Sequence, residues 1–152
     1  MAEKLTKVLI RGFAVWLVIV VIESVHGTLR ELFLKPLVGD VRARQIAFFT
    51  ALALIFTVTF IFIRWIRASN NKQLLLVGLM WVVLMVCFEG FIVRPALNLP
   101  WSAFFADYNI FEGGMMAVGI VILALAPVVA ARLRNRLSIL CKALGPRSRT
   151  HS

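Results

Sequence analysis

Residues 46–63 read IAFFTALALIFTVTFIFI, eighteen in a row without a charge. A helix needs about 20 mostly apolar residues to cross a hydrocarbon core of roughly 30 Å. In water so long an apolar run would have to be buried on every side. A single run could be one core helix of a large soluble protein, but the rest of this chain excludes that. Of its 152 residues 61% are hydrophobic and 16% charged, with a mean hydropathy of +0.92. Soluble domains sit near 45–50% apolar, so the surplus calls for an apolar solvent.

Three further segments have the same character, about 8–29, 74–93 and 113–131. The expectation is an all-α protein: an integral membrane antiparallel four-helix transmembrane bundle, one domain over 1–131, with a basic tail over 132–152. The first segment reads as a span rather than a cleavable signal. Its apolar part is long, it ends in charge, and no small-x-small cleavage site follows.

Charge orients the bundle. Lys4, Lys7 and Arg11 precede the first span, and Arg64, Arg67 and Lys72 fill the second loop. The tail adds Arg132, Arg134, Arg136, Lys142, Arg147 and Arg149, so one face holds twelve of the seventeen basic residues. The positive-inside rule then places both termini in the cytoplasm. Trp65 and Trp101 fall where interfacial aromatics belong, one at each face. The net charge of +10 is read as attraction to anionic lipid headgroups, not to nucleic acid, because the cations flank apolar segments. The cysteines, Cys87 and Cys141, suggest no disulfide framework.

Of the seven acidic residues only Glu3 lies on that basic side. Glu23, Glu31, Asp40, Glu89, Asp107 and Glu112 fall in the outer half or outer loops, with Arg30, Arg42, Arg44 and Arg94. The two halves of the chain echo one another. Glu23, Arg30, Pro36 and Asp40 follow the first apolar helix; Glu89, Arg94, Pro95 and Asp107 follow the third. The pattern suggests two parallel helical-hairpin repeats about an axis along the membrane normal, although shared apolar composition gives a similar echo. A duplication would set Glu23 and Glu89 at one depth, facing each other.

Glu23, His26 and Arg30 are spaced i, i+3 and i+7, one face of a helix, with Gly27 beside them to admit a neighbour or ligand. A carboxylate a quarter to a third of the way into the core should turn inward and find a partner. The candidate binding residues are therefore Glu23, His26, Arg30, Glu89, Arg94, Asp107 and Glu112. The preferred reading is a polar, ionisable site beneath the outer face that binds or passes a small ligand, ion or lipid headgroup. Proton-linked steps are within its chemistry. The alternative is structural: ion pairs of Glu23 with Arg30 and of Glu89 with Arg94 closing a bundle that serves as a homodimer or as an accessory subunit of a membrane complex. A third is a metal-dependent enzyme. Glu-x-x-His is the half-site of carboxylate-bridged di-metal bundles, and Glu23, His26 and Glu89 would ligate, with Asp107 or Glu112 as a further oxygen donor. A metal ion is not favoured, because the motif occurs once and His151 lies in the polar tail.

Covalent catalysis and nucleotide hydrolysis draw no support. Ser24 and Ser102 lack a base in triad order, and no glycine-rich phosphate loop is present. Gly113, Gly114 and Gly119 read as close packing at the head of the fourth span, and Pro127 as a kink near its inner end. PWSAFFADYN (100–109) reads as a short interfacial helix. Arg42 and Arg44 at the mouth of the second span suit headgroup contact. Leu133, Leu137, Leu140 and Leu144 mark an amphipathic continuation on the inner leaflet, followed by a disordered end.

The stretch from Glu23 through Leu34, GDVRARQI (39–46) and ADYNIFEGG (106–114) resembles a group of small bacterial inner-membrane proteins. The resemblance covers most of the chain. It implies a bacterial four-helix protein and no particular chemistry.

Overall fold

The computed structural model describes residues 2–96, 98, 101, 102, 105 and 115–144. Among these the chain is all-helical, without strands. Four long helices form: α1 (Ala2–Leu29), α2 (Asp40–Ile66), α3 (Asn71–Phe88) and α4 (Met116–Leu144). Each belongs to a helical stretch long and apolar enough to cross a membrane. At about 1.5 Å per residue the three longest reach roughly 40 Å, more than a hydrocarbon core. The charged residues lie toward the ends of these helices, outside their apolar middles.

α1 packs against α2 and α3, and α4 packs against the same two. The order around the bundle is thus α1, α2, α4, α3. A two-fold axis exchanging α1 with α3 and α2 with α4 would set those partners across from one another. Here each such pair is adjacent, so the rotational repeat suggested by the sequence is not the packing adopted.

Small residues set the helix separations. Gly78 of α3 lies against the backbone of α4, where a β-carbon would stand 2.0 Å from the Ala124 carbonyl oxygen. Gly12 of α1 lies against α3, where a β-carbon would come 2.9 Å from Val77 Cγ1. The Gly12 carbonyl accepts a 2.8 Å bond from the buried Trp81 indole N–H. Val15, Ile19, Ile66, Val77 and Trp81 fill the centre. Gly27 has nothing within 4 Å of a notional β-carbon, and Gly119 meets Phe48 at an ordinary 3.7 Å. Neither makes the close approach expected of it, and Gly113 and Gly114 lie outside the described residues.

Two helices end in π-helical turns, Arg30–Leu34 after α1 and Glu89–Val93 after α3. Each turn runs into a short α-helical piece whose second residue is proline: Lys35–Val38 with Pro36, and Arg94–Ala96 with Pro95. The cause is steric. A proline ring collides with the carbonyl four residues back and offers it no N–H. Those carbonyls belong to Leu32 and Phe91, inside the widened turns. Gly39 (φ 82°) then reverses the chain into α2.

At the opposite end, Arg67 closes α2 in the left-handed conformation (φ 56°, ψ 38°) and Asn70 caps α3. The Gln73 N–H donates to Asn70 Oδ1 at 2.9 Å, and the Ser69 N–H to Gln73 Oε1 at 2.7 Å. α4 runs unbroken through the buried Pro127 into the basic tail as far as Leu144. Trp101, Ser102 and Phe105 are helical, with the two rings stacked 6.2 Å apart.

Candidate functional site

Near the Gly39 end, α1 turns Glu23 and His26 toward the bundle. Their side chains keep only 17% and 21% of their exposure, whereas Val21 and Val25 on the other face are open. The i, i+3 spacing puts His26 Nδ1 3.7 Å from Glu23 Oε2, too long for a hydrogen bond. The other ring nitrogen, Nε2, lies 2.7 Å from Thr50 Oγ1 on α2.

Thr50 Oγ1 also lies 3.1 Å from the carbonyl oxygens of Ile46 and Ala47. Its single hydroxyl proton goes either to one of these or to His26 Nε2, so the donor in the His26–Thr50 bond depends on the tautomer of the ring. A proton on Nδ1 would face the Glu23 carboxylate across the 3.7 Å gap. Glu23 Oε1, the other carboxylate oxygen, is buried without a hydrogen-bond partner among the described residues.

A second buried polar atom without a partner among the described residues, Trp16 Nε1, sits seven residues earlier on α1. Seven residues are two turns, so donor and acceptor lie on one face about 10 Å apart along the axis. Trp16 drew no attention in the sequence because an indole in an apolar run reads as core. Its fellow Trp81, which does find a carbonyl, is such a core residue.

Arg30 does not reach Glu23. It pairs with Glu31 at 2.6 Å, and Glu31 also holds Lys35 at 2.9 Å. Lys35 in turn meets Asp40 at 3.3 Å, and Asp40 meets Arg44 at 3.1 Å. The result is an exposed ladder of alternating charge across the Gly39 connection. The ion pair of Glu23 with Arg30 that a structural role needed is not made. Arg44, a candidate for headgroup contact, is engaged within this ladder.

Glu89 opens the π turn after α3 and is half-buried. Contacts between α1 and α3 advance together along both helices. Gly12 meets Val77, Met80 and Trp81, and Trp16 meets the Phe88 edge at 6.3 Å. Counting onward from Gly12 and from the Val77–Trp81 turn, Glu23 and Glu89 both lie about 15 Å further along. The side chain of Arg94, and Asp107 and Glu112 altogether, lie outside the described residues. Among the described residues no group of three His, Cys, Asp or Glu side chains could hold a metal ion; Glu23 and His26 supply two donors.

Comparison of the chain with protein-family models, curated proteins and solved structures finds no match.

Proposed function

We propose that this is a small integral protein of a bacterial inner membrane, an antiparallel four-helix bundle with both termini in the cytoplasm. Its Glu23–His26–Thr50 site beneath the periplasmic face binds or passes a small ligand, ion or lipid headgroup. One observation carries this reading: Glu23 Oε1 is buried and has no partner among the described residues, within a helix long and apolar enough to span the bilayer.

A carboxylate at that depth costs several kcal/mol unless something neutralises or solvates it. Arg30 does not, being held by Glu31. With no partner among the described residues, a proton, a cation or a hydrogen-bond donor is taken to complete the site. Trp16 Nε1 adds a donor on the same face. Waters or hydroxyl-bearing groups can both accept from that indole and donate to the carboxylate, which suits a hydrated path more than a closed ion pair. Glu23 and His26 are adjacent ionisable groups, which lets the occupant exchange together with a proton.

The test is native mass spectrometry and thermal unfolding of wild type, Glu23→Gln and His26→Ala in one lipid. Removing Glu23 breaks no ion pair with Arg30, so both variants should unfold within about 3 °C of wild type, a change of roughly 1 kcal/mol or less. They should lose whatever small species the wild type retains. Variants that fail to fold, or that retain the same species, would remove the site from the function.

A further inference from the structure

The Asn70 end holds a groove of about 560 Å³ between the close of α2, the 67–70 connection and the basic extension of α4. Its volume falls in the range of small-ligand sites. Arg64, Arg67, Arg132, Arg134 and Lys142 line it, and among the described residues no acidic one does. Glu3, the acid nearest this end in sequence, is bound to Lys7 at 2.6 Å.

Arg134 has a structural task. It donates to the carbonyls of Phe60 and Ile61 and lies over the Phe60 ring at 5.2 Å. This ties α4 to the last turns of α2 and fixes one wall. Arg64, Arg67, Arg132 and Lys142 have no ion pair among the described residues. Four cations converging without a counter-charge repel one another, and the repulsion falls when an anion enters. Asn71, at the start of α3, also lines the groove. The first turn of a helix presents N–H groups without internal acceptors, which favour an anion. The Asn70 and Gln73 caps hold that turn in place.

From this we infer that the groove is a binding site for a phosphate group carrying more than one negative charge. Arg64 and Arg132 are its principal ligands, and Arg67, Lys142 and the start of α3 complete it. The inference is independent of the Glu23 site, which lies at the other end. Two sources offer that chemistry: an anionic phospholipid headgroup and a soluble phosphate compound. The exposed Leu133, Leu137 and Leu140 beside the groove would accept acyl chains.

Wild-type protein in phosphatidylcholine nanodiscs is titrated in separate arms with phosphatidic acid, supplied in the disc, and with soluble pyrophosphate. Binding is read from the thermal midpoint and by native mass spectrometry. The comparison is between Arg64→Gln/Arg132→Gln and Lys4→Gln/Arg136→Gln, which removes the same charge from the same end outside the groove. The inference expects saturable binding in at least one arm, the responding arm naming the source. The groove pair should weaken it about tenfold or more and the other pair less than about twofold, where tenfold corresponds to about 1.4 kcal/mol. Equal losses from both pairs, or saturable binding in neither arm, would overturn it.

Discussion

Gly78 and Gly27 both sit in apolar helices, yet their surroundings differ. A methyl group at Gly78 would meet a backbone carbonyl that cannot swing aside, so α3 and α4 would have to part. Overpacking of this kind costs about 1–3 kcal/mol. Gly78→Ala should lower the thermal midpoint by several degrees. Gly27→Ala, with open space around it, should leave it unchanged or raise it, because alanine favours a helix interior over glycine by up to about 1 kcal/mol. Differential scanning fluorimetry of the two variants checks the pair. Sequence drew the eye to Gly27, beside the charged stripe, and passed over Gly78 within LVGLM. Composition marks where glycine occurs, whereas its value depends on what another helix brings to it. Glu23 and His26 were legible because their spacing alone places them on one face. The pairing of Arg30 was not, since neighbours i and i+1 on a regular helix point apart.

At the scale of the element, hydropathy found all four long helices because a run of apolar side chains has few other uses. It placed their ends less well. α4 continues as one helix through Pro127 and the RLRNR segment to Leu144, well past residue 131, where hydropathy ends the span. The π turns were invisible to hydropathy, which carries no phase. Pro36 and Pro95 were seen as parts of an echo, yet their steric demand on Leu32 and Phe91 explains the two turns locally, without common descent. The Asn70 cap makes a further prediction. Asn70→Ala removes the acceptor for the Gln73 N–H and should cost about 1 kcal/mol, seen as a lower thermal midpoint. An unchanged midpoint would mean that the connection is not held by its cap, and the wall of the cationic groove would lose its support.

Across the whole molecule the ends divide by charge. At the Gly39 end acids and bases alternate and pair; at the Asn70 end, among the described residues, cations line a groove without acids. Counting basic residues in the sequence located that end but missed its shape, because a count does not show that three segments converge. With the groove in the cytoplasm, a reporter active only in the periplasm and fused after Ser152 should stay silent. The proposed orientation would put Glu23 beneath the periplasmic face, and the proposed site requires it to be open to water and not to lipid. The most direct test replaces Cys87 and Cys141, introduces Glu23→Cys or Val21→Cys, and adds a membrane-impermeant thiol reagent to intact cells. Glu23→Cys should be modified from outside, while Val21→Cys, on the exposed apolar face of the same helix, should be protected by lipid. Equal protection at both positions, or modification at 21 alone, would contradict a water-accessible site at Glu23.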